Sequence, residues 1–402
     1  MGSRVRLRED IEHTLRAWNA YEIDRNAPPV VDFDCAPPAS AVTPATGRLT
    51  VHRDLLALRQ RAAAQGDEPL HDRISAHVAY LEALLGARHP LDTYILATQG
   101  CSATGWPAEY VTDLGEQARA QVQDLGMAWD TTTADALNEA EEPLDPGEAP
   151  DAIRAAAQEY EGAVRTLVDS DAPFNLRIEV VDLDVYWGYW LDGSGARVRL
   201  RINRRQAQFT KVQAKQFALH EILGHGLQCA SYSHLCAAGD VPWVRMTSVH
   251  AQQQVLLEGL AQALPLFVTP DDEMLTLRVR LAHYLELVRS ELHLLINAGT
   301  PVTECVEHAR RRVPFWPDEA IAGFLTDRSV DPLLRSYLWA YPAGIDWFVA
   351  LARDADQQTV ADLLRLAYRK PMTPHELHQA WPAGPPIGTA ANVRVGSRSP
   401  SN

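Results

Sequence analysis

Lysine is nearly absent from this 402-residue chain: of 37 basic residues, only Lys211, Lys215 and Lys370 are not arginine. That skew, together with abundant alanine, is the composition of a GC-rich bacterial genome. Basic charge is also short overall. Fifty-two acidic residues give a formal net charge of -15 and a pI near 5.4. Such a balance argues against nucleic acid or an anionic membrane as the main partner. The five cysteines (Cys35, Cys101, Cys229, Cys236 and Cys305) are scattered and contain no C-x-x-C pair, which excludes a zinc ribbon or a thioredoxin-like site. A reducing cytoplasm fits them best. Long apolar runs are missing too. No window approaches the roughly 18 residues of a membrane span, and the first residues, MGSRVRLREDIEHTLRAW, lack the apolar core of a secretory signal. The expectation is a cytoplasmic protein with no membrane partner.

With 46% hydrophobic and 22% charged residues, the chain can build a large globular core. From about residue 5 to 130, apolar residues recur at three- and four-residue spacings, as in Leu55, Leu58, Ile74, Val78 and Leu81, which predicts helices. The acidic, proline-containing stretch 139–150 (EAEEPLDPGEAP) reads as a solvated boundary, followed by a helix over 151–168. Residues 176–190 are rich in β-branched and aromatic side chains, 191–195 (LDGSG) reads as a turn, and 197–203 (RVRLRIN) alternates strictly. An antiparallel hairpin is predicted there, with Val198, Leu200 and Ile202 inward and Arg197, Arg199 and Arg201 outward. Helices are predicted again over 211–380, including one spanning 247–266. The last twenty residues carry no apolar period and read as a disordered tail. The resulting fold class is mostly α-helical (α+β), with a small antiparallel sheet beside the helix that carries the chemistry. The organisation is a helical N-terminal region (1–150), a metal-binding catalytic region (151–382) and a tail (383–402).

That helix holds His220-Glu221-Ile222-Leu223-Gly224-His225. In the zinc-hydrolase pattern H-E-x-x-H, histidines at i and i+4 share one helix face, and the glutamate is the base that activates water. Here the second histidine is at i+5, which on an ideal helix lies about 140° from the first. Both can bind one ion only if the helix widens locally, and a π-type turn would absorb the extra residue. Glycine at position 224 suits that distortion. The motif follows an alternating strand, as the active-site helix of a zincin does. It sits among Phe217, Leu219, Ile222, Leu223 and Leu227, where unpaired polar groups would be costly. Glu258, in the apolar context Leu256-Leu257-Glu258-Gly259-Leu260-Ala261, needs a buried partner, and a metal is the economical one.

His220–Gln228 (HEILGHGLQ) followed by Glu258–Ala261 (EGLA) resembles the domain-of-unknown-function 885 family, with its H-E-x-x-P-G-H-x-x-Q and E-G-W-A motifs. The likeness runs over roughly 195–375 and includes Tyr341-Pro342-Ala343-Gly344, similar to the family's Y-x-x-G. This chain lacks the proline and has Leu260 in place of the tryptophan. Its shorter H-E-x-x-G-H is similar to that of dipeptidyl peptidase III. The resemblance implies a gluzincin-like zinc peptidase. His220, His225 and Glu258 would bind Zn2+, Glu221 would be the general base, and Tyr341 would donate to the oxyanion.

The further candidates are weaker. Gln228 reads as orienting a ligand or substrate, or else as an ordinary polar helix position. Arg335 is placed to pair with a substrate carboxylate. His293 and Asn297, one turn apart, read as partners supporting the ligands or as a solvated pair. Cys229 and Cys236 read as buried thiols. The leading function is a zinc-dependent hydrolase of a short peptide or an amino-acid-derived amide. The alternatives are a metal-dependent tailoring enzyme of bacterial secondary metabolism, using the zinc as Lewis acid on a small amino-acid-derived intermediate, and a non-catalytic binding protein on the same scaffold.

Overall fold

Helices form where three- and four-residue spacing gathers apolar side chains on one face. In the computed structural model, which describes residues 2–184 and 188–389, the first helix, Gly2–Asp24, buries Leu7, Ile11, Leu15 and Trp18. These pack on Arg48–Ala64 and Glu68–Leu84 in a core of their own. A larger core joins Ile95 and Cys101 to Ile153, Leu219, Ile222, Trp347 and Phe348, so packing continues across residue 150. No helix among the described residues is long and apolar enough to cross a membrane.

Five short strands make one mixed sheet: β1 Phe33–Asp34, β2 Asn175–Val181, β3 Tyr189–Ser194, β4 Arg197–Asn203 and β5 Met246–Thr247, in the order β2-β4-β3-β1-β5. The expected antiparallel hairpin is present in altered form. β3 and β4 pair antiparallel, but Leu191–Ser194 extend β3 instead of turning, because Gly195 alone supplies the left-handed residue (φ 58°). The segment 176–181 belongs to β2, which runs parallel to β4. Residues 185–187 of the predicted strand lie outside the described residues. Val198, Leu200 and Ile202 are buried, as the alternation required, and Arg197 and Arg199 are exposed on the opposite face.

Three other expectations change. Of the predicted helix 247–266, only Gln254–Ala263 and Pro265–Val268 are helical. Thr247 lies in β5, where its carbonyl accepts the Asp32 amide at 3.1 Å, and tertiary pairing overrides the local period. The acidic stretch 139–150 is not simply solvated. Glu141 is buried, ion-paired with Arg278 and bonded to the Thr210 hydroxyl at 2.8 Å. Residues 383–389 pack as well: Ile387 is buried and Thr389 bridges Gly105. The remainder of the expected tail, 390–402, lies outside the described residues.

Two helices deep in the core touch backbone to backbone. A Cβ added to Gly259, in Gln254–Ala263, would sit 2.4 Å from the Gly344 carbonyl carbon of Ala340–Asp354. The glycine pair therefore sets how near Glu258 comes to Tyr341. Gly259→Ala is expected to lower stability by about 1–3 kcal/mol through overpacking. By contrast Gly162→Ala, at a helical glycine with open space around it, should raise it by up to about 1 kcal/mol. Urea unfolding of the two variants checks both signs.

Candidate metal centre

The motif helix is one continuous rod over residues 211–238, started by a capping box in which Thr210 and Gln213 satisfy each other's backbone amides. Its middle, Ala218–Gly226, is π-helical. The wider turn takes in the extra residue and brings the two histidines to the same side, with His220 Nε2 and His225 Nε2 3.1 Å apart and the rings edge to face. The widening is local to where it is needed, as the five-residue spacing predicts. Gly224 is also a packing requirement, since a Cβ there would lie 2.9 Å from the Ala261 Cβ. That close approach draws in the helix carrying Glu258.

Glu258 Oε2 lies 3.6 Å from His220 Nε2 and 3.5 Å from His225 Nε2. It is buried and has no hydrogen-bond partner. The three ligand atoms form the one group of histidine, cysteine and carboxylate side chains among the described residues with the spacing to hold a metal ion. Glu221, likewise buried, places Oε1 3.7 Å from His220 Nε2.

Burial and proximity separate the titrations. Burial raises the Glu221 carboxyl to about 7, with His225 opposing and Glu258 reinforcing the shift. Burial would raise Glu258 as well, but the charge and contact of His225, with His220 and Tyr337 behind it, hold it at about 2. His225 shows the converse. Burial lowers it, and Glu258 outweighs burial to hold it at about 8. Desolvation, with the His225 charge, pushes His220 down to about 3. In the metal-free chain the stable arrangement is thus a neutral His220 beside a Glu258–His225 ion pair.

Two tyrosines continue the network. Tyr337 donates to Glu258 Oε1 at 2.5 Å, and its hydroxyl lies 2.7 Å from that of Tyr341. A carboxylate only accepts, so the Tyr337 proton goes to Glu258 and Tyr341 donates to Tyr337. Sequence reasoning placed Tyr341 near the site but missed Tyr337, although its i–4 spacing from Tyr341 on a helical stretch was the available signal. It also missed Asp32 and Tyr189. Asp32 Oδ2 is buried without a partner, and burial plus the nearby Glu258 charge raise its carboxyl to about 7. Tyr189, at the start of β3, packs edge-on against Phe217 at 4.7 Å and feels the charges of Glu221 and Glu258. Nothing local in the sequence marked either residue.

The weaker candidates are placed elsewhere. Gln228 is buried and donates to the Ala367 carbonyl at 3.0 Å, a tie between helices with no role at the triad. Arg335 donates to Asn297 at 2.7 Å and lies over the Tyr94 ring, so its guanidinium is held away from the triad. His293 is fully buried against Trp339, and Asn297 ties the His293 and Arg328 carbonyls together at 2.9 Å each. These two are neither solvated nor in contact with the ligands. Arg199 and Arg201 share Asp192 on the face turned away from the motif helix. Cys229 is a buried thiol raised to about 12 by desolvation, and Cys236, half-buried, is raised likewise.

Glu221 keeps its proton in the folded chain at pH values where the unfolded chain has lost it, about 7 against 4.5. Stability therefore falls as pH rises from 4.5 through 7. In metal-free protein, Glu221→Gln removes that decline. It should be more stable than the parent by about 1–3 kcal/mol at pH 8 and about equal near pH 4.5. Urea titrations at the two pH values test this, and an equal gain at both would count against it.

No family model and no curated protein matches the chain. Among solved structures it is similar to the putative lipoprotein from Colwellia psychrerythraea, at 15% identity and a TM-score of 0.53, over 82% of this chain. The match spans 59% of that longer protein, and the likeness is one of fold.

Proposed function

We propose that the protein is a zinc-dependent hydrolase acting on a short peptide or an amino-acid-derived amide. One observation carries the reading: a buried carboxylate oxygen without a hydrogen-bond partner faces two imidazole nitrogens that themselves lie 3.1 Å apart. The three separations, 3.1, 3.5 and 3.6 Å, bracket the edge of about 3.3–3.4 Å expected of a tetrahedral zinc site with bonds of about 2.0–2.1 Å. Two imidazoles and a carboxylate favour zinc over the oxygen-loving magnesium or calcium. Zinc held there would supply a Lewis acid that polarises a carbonyl and makes water acidic.

The chain's own groups support the rest. Glu221, poised near neutrality, can take a proton from water and pass it to the leaving nitrogen. Tyr341 keeps its hydroxyl proton, because burial and the nearby carboxylates push it upward. Tyr341 can release its bond to Tyr337 and donate to a developing oxyanion while Tyr337 still holds Glu258. Only 13% and 14% of the two histidine side chains reach solvent, which favours small substrates. The five free thiols favour a reducing cytoplasmic setting.

Purified protein should bind about one zinc per chain. Glu221→Gln should keep the metal and lose turnover of a susceptible amide by about 10²–10⁴-fold. Metal analysis with a panel of free and blocked short peptides tests both, and a chain that takes up no zinc would sink the proposal. Tyr337→Phe removes the bond that orients Glu258 and should weaken zinc binding by about 10–100-fold, read by competition with a chelating dye.

A further inference from the structure

The sheet face turned away from the motif helix, together with the segment 23–32 that leaves the first helix, lines a cleft of about 1020 Å³. No residue of the metal triad borders it. Residues paired across neighbouring strands share a face, so strand register sets the side chains of this floor in rows. In the last row Arg201 stands between Glu179 and Trp190, and the charges match. In the middle row Arg177 lies directly opposite Arg199, a like-charge pair that costs stability. Asp192 is the one acid in that row, and it is shared by Arg199 and Arg201. The first row sets Arg197 between Asn175 and Ser194, with no acid on either side.

The charges around the cleft do not cancel. Four arginines face Glu179 and Asp192, which leaves two positive charges on the first two rows. Asp32 is the single charged residue that the segment 23–32 adds to the lining, and burial raises its carboxyl to about 7. It offsets at most one of the two. Neighbouring charges match among themselves: Asp34 is ion-paired with Arg16, and Asp24 adjoins Arg25. Past the last row, Asp182 and Asp184 are equalled by Arg204 and Arg205. A positive cleft persists in a chain whose formal charge is -15. Its other walls are apolar, from Pro28, Pro29, Val31 and Ile23, a large side chain left 53% exposed.

We propose that this cleft binds a small organic dicarboxylate with an apolar body. Residues two apart on a strand are separated by about 7 Å, so the two unanswered charges stand apart on adjacent rows. Two separate carboxylates match them better than one phosphate, whose charge is concentrated at a point. The planar fork of arginine suits a carboxylate's two oxygens. Asn175 and Ser194 add hydrogen-bonding groups beside Arg197, and the prolines and Trp190 cover the ligand's apolar part. A cleft of this size is ample for such a molecule. The site stands apart from the metal centre and does not rest on the hydrolase reading.

Calorimetric titration of the full-length protein with three probes tests this: N-benzoylglutamate, N-benzoylglutamine, which has one carboxylate fewer, and inorganic phosphate. N-benzoylglutamate should bind at one site per chain, about tenfold tighter than either of the others. Arg197→Gln and Arg177→Gln should each weaken it by about tenfold, which also separates the cleft from direct coordination at the metal. Both side chains are exposed, so neither change should lower the melting temperature. Arg310→Gln, on the helix Val302–Arg312 outside the cleft, removes the same charge and should leave binding unchanged. No binding, equal binding of the glutamine or phosphate probe, or an affinity that survives both cleft substitutions would overturn the proposal. So would an equal loss in Arg310→Gln, which would reduce the effect to net charge.

Discussion

Two histidines five residues apart can face one point only if the helix between them holds an extra residue in its turn. Everything else in the site depends on that constraint. The wide turn over Ala218–Gly226 places both Nε2 atoms side by side, and Gly224 at its centre lets the helix of Glu258 approach until Ala261 is in contact. That second helix is in turn pressed onto the helix of Tyr341 through Gly259 and Gly344. Three helices are thus held at distances that side chains larger than glycine would forbid. The polar groups between them have no freedom to move apart.

Such packing has an electrostatic consequence. Glu221, Glu258, His220 and His225 are all largely removed from water. In the metal-free chain they settle by spreading their titrations from about 2 to about 8. Even so, one oxygen of Glu258 has no hydrogen-bond partner. Folded proteins rarely leave a buried carboxylate oxygen unsatisfied, and where they do the group is commonly reserved for a ligand. A dication held there would answer both problems at once, filling the open position and offsetting two carboxylates.

What could be read from the sequence was what repeats or clusters locally. The helices with clear three- and four-residue spacing, the alternation of Val198, Leu200 and Ile202, and the need for a widened turn at Gly224 were all legible. β1 and β5, two residues each, carry no period and exist because distant segments pair. The same holds for the parallel placement of β2, which no local signal distinguishes from a hairpin arm. Arg335 and Gln228 had the right chemistry at plausible spacing, but a helix has several faces, and theirs point to Tyr94 and Ala367. Tyr337 was missed for the opposite reason, as an ordinary residue one turn before a conspicuous one.

Asp32 shows that the N-terminal helices belong to the site as well as to the scaffold. Its position follows from β1, whose pairing with Thr247 holds the segment after the first helix against the loop leading to Glu258. The carboxyl there is buried, has one oxygen without a partner, and is close enough to Glu258 and His225 for each to shift it. A surface extension would have no reason to bury a carboxylate beside another carboxylate, where each raises the cost of ionising its neighbour. Arg73, half-buried nearby, partly compensates and comes from the same N-terminal region. The charge balance around the triad is therefore shared between the two halves of the chain, and neither half contains it alone.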